Sequence, residues 1–102
     1  MNRTIFEIQA DFCKAMGNAT RLQILHSLRK GPMIVGDISR ETGLGQSVIS
    51  RQLGVLRNIG VLKCHRHGTE MIYQLADESI GEVCDLVRQI LVTQIRDQSR
   101  FL

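Results

Sequence analysis

The side chains of this 102-residue chain that could carry redox, nucleophilic or metal chemistry are Cys13, Cys64 and Cys84, together with His26, His65 and His67. The cysteines are too scattered for a disulfide scaffold and none is spaced Cys-x-x-Cys, which fits a reducing cytoplasm. A free cysteine packs as a small apolar residue as readily as it reacts, and both readings stand for Cys13 and Cys84. Cys64 reads as structural. His65 and His67 share one face of a short strand and suit an anion-facing surface better than a metal site. His26, set among leucines, reads as an interior or boundary histidine. Ser-His-Asp order, paired carboxylates and a phosphate loop are all missing. Nothing therefore points to an enzyme, and no cofactor or metal is implied.

Charge is more informative than chemistry. The net charge is only +3, but no Asp or Glu occurs from Gly43 to Thr69, a stretch that holds Arg51, Arg57, Lys63 and Arg66. After Leu75, Asp77, Glu78, Glu82, Asp85 and Asp97 outnumber Arg88, Arg96 and Arg100. A basic middle between more neutral ends is what a polyanion-binding surface produces. An unevenly charged solvated face is the plainer alternative.

The elements that must position these residues follow from apolar spacing. Ile5, Ile8, Phe12, Ala15 and Met16 recur at helical intervals and predict a first helix ending near Gly17. Asn18 caps a second, with Leu22, Leu25 and Leu28 inward, which closes at Gly31-Pro32. A third runs from Val35 to Thr42 and stops at Gly43, and a fourth starts at Gly45-Gln46-Ser47 and reaches Asn58. Val61 to Arg66 and Met71 to Leu75 predict a hairpin turning at His67-Gly68-Thr69. From Asp77 a long last helix carries Ile80, Val83, Cys84, Val87, Ile90, Leu91 and Ile95. The fold class is thus mainly α with a small β-hairpin wing, in the order α1-α2-α3-α4-β-β-α5, as a single domain over 1–102. No signal peptide or membrane span is read.

At about 100° per residue, Ile49, Leu53 and Leu56 of the fourth helix fall on one side and Ser47, Ser50, Arg51 and Gly54 on the other. A helix buried on one face can offer the other to the major groove, and Gln46 sits at its start, where free N–H groups attract phosphate. A short helix, a turn holding Gly43 and Gly45, and a polar-faced helix together make a helix-turn-helix. The hairpin behind it brings Lys63, His65, Arg66 and His67 toward the neighbouring backbone or minor groove.

The stretches ATRLQILHSL, MIVGDISRETGLGQSVISRQLGVLRNIGVL and KCHRHGTEMIYQL resemble the ArsR/SmtB family of repressors, from about Phe12 to Leu91. The resemblance implies a cytoplasmic winged helix-turn-helix homodimer, joined through its first and last helices, that binds a double-stranded DNA operator until an inducer releases it. It carries recognition to Gln46, Ser47, Ser50 and Arg51, with Gln52 at the edge, and the wing to Arg66, His67 and Gly68. Arg57 and Lys63 join Arg51 and Arg66 as phosphate contacts. Gly45 stands where the family usually has Ser.

The family's two metal sites lack their residues. Ile34-Val35-Gly36-Asp37-Ile38 occupies the cysteine segment, and the last helix has no histidine. Cys13 and Cys84, on the two expected interface helices, remain as sensor candidates toward oxidant, sulfane sulfur or a thiophilic ion. Two alternatives stay open. One is a winged-helix module for protein–protein contact, and the other is a metal(loid)-responsive repressor with a non-standard cysteine site.

Overall fold

The computed structural model describes residues 2–99, so Arg100 of the charge reading lies outside the described residues. The elements are α1 (Ile5–Met16), α2 (Ala19–Ser27) extended by a 3-10 turn (Leu28–Lys30), α3 (Val35–Thr42), α4 (Gln46–Asn58), β1 (Leu62–His67), β2 (Glu70–Leu75) and α5 (Glu78–Ser99). This is the expected order.

Helix ends follow their capping chemistry. Thr4 Oγ1 accepts from Glu7 N at 3.1 Å while Glu7 Oε1 accepts from Thr4 N at 3.2 Å, a reciprocal capping box for α1. Asn18 Oδ1 accepts from Arg21 N at 3.0 Å to start α2. Asp77 Oδ1 accepts from Ser79 N at 2.9 Å where α5 begins.

The core lies where α2, α3 and α4 meet the hairpin. Ile24, Leu25, Leu28, Ile38, Ile49, Leu53, Leu56 and Val61 are buried there, with Met16 reaching in from α1. Burying one such aliphatic side chain contributes roughly 1.5–3 kcal/mol. The expectation for α2 needs correction: Leu22 points outward, and Ile24 takes the inward place. His26 is exposed, so it is no interior histidine.

The hairpin pairs Leu62 with Leu75 through His67 with Glu70 in antiparallel register. Its two-residue turn is Gly68-Thr69, with Gly68 at φ 66° and Thr69 outside the positive-φ region. That is the glycine-first arrangement of a type II′ turn. Met33 adds one further bridge to Tyr73, with backbone bonds of 2.9 and 2.8 Å.

Candidate nucleic-acid interface

The turn before α4 is fixed locally. Gly43 adopts the left-handed conformation at φ 75°, which a side chain would strain, and its N–H donates to Ser39 O at 2.8 Å. Ser39 Oγ donates to Leu44 O at 2.7 Å, and Thr42 Oγ1 accepts from Leu44 N at 3.2 Å. Gly45 then starts α4 without a side-chain cap, so the first N–H groups of this helix have no acceptor from the capping position.

Beyond the turn, burial on one face holds the other outward. Ile49, Leu53 and Leu56 are all 0% exposed, and opposite them Gln46, Ser47, Ser50, Arg51 and Gly54 are exposed. Gly54 has nothing within 4 Å of the position a Cβ would take, so its face is open space. Gln52, at the edge, is half-buried, and its Oε1 accepts from Arg21 Nε at 2.9 Å. Arg21 also donates to Ala15 O at 2.5 Å, tying α4 to the end of α1. Arg21 had no signal in the sequence beyond its charge.

The cations sort by partner. Arg3, Arg29, Lys30, Arg40 and Arg88 each pair with a carboxylate, whereas among the described residues Arg51, Arg57, Lys63 and Arg66 pair with none, as is also true of Lys14, Arg21 and Arg96 outside the acid-free stretch. Strand alternation then divides the wing. Leu62, Cys64 and Arg66 share the face that begins in the core, opposite Leu75, Tyr73 and Met71. Lys63, His65 and His67 lie on the other face, opposite Gln74, Ile72 and Glu70. The hairpin therefore does not bring Arg66 together with Lys63 and His67. Arg66 stands near the tip, Glu70 lies across from His67, and Lys63 sits at the base. There the Ser79 N–H and O–H lower the pKa of Asp77, with the Lys63 charge adding to them.

Cys13 is exposed, Cys84 half-buried, and both line one groove of about 550 Å³ between α1 and α5, with Phe12, Met16, Leu22 and Val87. Burial first, and the charge of Asp85 second, push the Cys84 thiol above its ordinary pKa. It is thus held in the less reactive protonated form. Cys64, half-buried on β1, lies apart from that groove. Among the described residues no three His, Cys, Asp or Glu side chains gather as a metal site. No helix of the described residues is long and apolar enough to cross a membrane.

The chain matches the pattern described as bacterial regulatory protein, arsR family, over residues 18–63. It is 35% identical over 95 residues to an uncharacterized HTH-type transcriptional regulator, Rv0081, of Mycobacterium tuberculosis, covering 92% of this chain and 83% of that one. The crystal structure of Rv0081 superposes with a TM-score of 0.82, covering 96% of this chain and 99% of that one. A biofilm growth-associated repressor of Xylella fastidiosa is 29% identical over 85 residues, or 83% of this chain and 75% of the relative. The homodimeric winged helix-turn-helix DNA-binding domain of a Mycobacterium bovis protein, solved in solution, aligns with a TM-score of 0.80 at 29% identity. It covers 91% of this chain and 86% of that one.

Proposed function

This chain belongs to the ArsR family and is a transcriptional regulator, not an enzyme, with a winged helix-turn-helix fold; from that premise we propose that it is a repressor that binds a palindromic operator as a homodimer and is released by an inducer. The observation that carries this reading is the outward face of α4: exposed, polar and unpaired, on a helix whose other face is wholly buried. Gln46, Ser47, Ser50 and Arg51 read base edges in the major groove, while Arg51, Arg57 and Arg66 neutralise phosphates. Gln52 supports the same surface from its edge, its Oε1 held by Arg21. Lys63 and His67 contribute less, because Lys63, though it pairs with no carboxylate, lies within electrostatic reach of Asp77, and Glu70 stands opposite His67 in the strand register.

Homodimer formation is supported by the apolar faces of α1 and α5. Ile5, Phe6 and Ile8 on α1, and Val83, Leu86, Val87, Ile90, Leu91 and Ile95 on α5, are each about half exposed or more. Large apolar side chains left exposed together on two helices of a small chain support an interface there. The homodimeric relative from M. bovis and the repressor from X. fastidiosa agree with both parts of the reading.

For induction, the favouring observation is that Cys13 and Cys84 line the same groove between the two interface helices. Oxidation or capture of a thiophilic species there would alter the dimer at the point where it is joined.

Selection of duplexes from a random library tests the reading. The expected outcome is an inverted repeat whose half-sites lie one or more helical turns apart, about 10–10.5 base pairs per turn. Enrichment of no sequence, with binding that follows only ionic strength, would refute it.

A further inference from the structure

The long helix α5 is attached to the rest of the chain over a small area. Of its residues only Gly81 is buried, and among the described residues of this helix Ile80 and Cys84 alone reach the apolar core. All three lie in its first two turns. Two neighbouring apolar contacts hold a helix down but leave it free to pivot, since dispersion and burial have no direction.

Arg29 supplies the missing constraint. From the turn after α2 its side chain lies across the backbone of Gly81, so close that a Cβ there would sit 2.2 Å from Arg29 Cδ and 2.7 Å from Nε. Nε donates to Asp85 Oδ2 at 2.9 Å, and a terminal nitrogen donates to Glu78 Oε2 at 3.1 Å. Glu78 and Asp85 stand on either side of Gly81, their backbone positions about 10 Å apart along the helix rise, and their carboxylates converge on the one guanidinium. Arg88 holds Asp85 from its other side at 2.6 Å. Glycine within a helix costs about 1 kcal/mol relative to alanine, and a side chain at position 81 would have to push the flexible end of Arg29 off this crossing.

We propose that Arg29, strapped over Gly81 between Glu78 and Asp85, fixes the angle of α5 to the α2–α3–α4 unit and so acts as a positioning residue that sets the half-site spacing the dimer accepts. This rests on the reading of the chain as a dimeric operator binder joined through α5. Leverage makes the angle consequential. About 27 Å of α5 extends beyond Gly81, so a tilt of roughly 10° displaces its far end by about 5 Å. One base pair rises only about 3.4 Å.

The test uses the full chain as wild type, Arg29→Met, Arg29→Lys and Gly81→Ala. Affinity is followed on duplexes carrying two copies of the selected half-site at the preferred separation and at one and two base pairs on either side. Sedimentation and a random-sequence duplex report dimerisation and phosphate binding separately. A spin label introduced through a non-natural amino acid at position 58 reports the separation of the two α4 helices without DNA. The wild type should lose about tenfold in affinity per base pair away from its optimum. In Arg29→Met and Gly81→Ala that preference should fall to about twofold and the spin–spin distance distribution should widen, with dimerisation and random-duplex affinity within about twofold of wild type. Arg29→Lys, which keeps a charge able to reach Asp85, should recover part of the preference. If Arg29→Met does not fold, Gly81→Ala, which keeps every charge, reads the same angle. A spacing profile and distance distribution unchanged in Gly81→Ala would overturn the strap while leaving operator binding standing. A wild type that ignores half-site spacing would overturn both the strap and the dimeric-operator reading.

Discussion

Replacing Leu91 by Asp should convert a dimer into folded monomers. Leu91 is 50% exposed in the isolated chain, so a partner covering it removes about half the area of a leucine, roughly 1 kcal/mol. The substitution forfeits that and sets a carboxylate against an apolar surface, a further cost of several kcal/mol when no partner compensates it. A two-fold interface repeats both effects in each protomer. The sum exceeds about 5 kcal/mol, so the dissociation constant should rise more than about a thousandfold. Leu91 stands outside the buried core, so the monomer should keep its helical circular dichroism. Sedimentation velocity over a concentration series is the assay. Gln89→Asp, on the polar side of the same helix, is the control and should stay within about twofold of wild type. A Leu91→Asp protein that still sediments as the wild-type dimer at submicromolar concentration would remove α5 from the interface.

Three further outcomes are expected. Arg66→Ala should weaken binding to all duplexes alike and reduce the slope of log affinity against log salt by about one unit, and an unchanged slope would take the wing tip off the phosphate backbone. Asp85 is held below the ordinary carboxylate range by hydrogen bonds from Arg88 and then Arg29. Its contribution to stability is therefore complete above the unfolded value of about 4 and fades as pH falls below it through the folded value. Acid titration of Asp85→Asn beside wild type should show the two melting curves converging only below about pH 4, whereas a constant difference through that window would contradict the linkage. Cys13→Ser and Cys84→Ser, titrated with oxidant, sulfane sulfur and a thiophilic ion beside Cys64→Ser, should lose the release of DNA that the parent shows. Equal responses in all of them would make the thiols packing residues.

Much of the architecture was legible because it rests on local periodicity. Ile49, Leu53 and Leu56 recur at helical spacing, and their complete burial turns the opposite residues of α4 to solvent. Asn18, Gly43 and Gly68 mark ends and turns by chemistry that acts over two or three residues. In α2, Leu22 and Ile24 both continue a ridge through Leu25 and Leu28, and periodicity could not choose between them. Packing against α3 and α4 chose Ile24. The Met33–Tyr73 bridge is a single pair without a period, so nothing in the sequence announces it. Pairings across long separations, such as Arg21 with Gln52 and Arg29 with Asp85, depend on how helices cross. Gly81 in particular reads as a weak point in a helix until a side chain is seen lying on it. Charge on the wing was readable as composition, but the division of Arg66 from Lys63 and His67 needed the strand register.

Operator affinity of Ser50→Ala and Arg51→Ala, measured by fluorescence anisotropy beside affinity for a random duplex, tests most directly whether the outward face of α4 reads DNA. Each substitution should cost on the order of 1–3 kcal/mol on the selected operator, with Arg51→Ala weakening the random duplex as well and Ser50→Ala sparing it. Full operator affinity in both variants would contradict the assignment of α4 as the recognition helix.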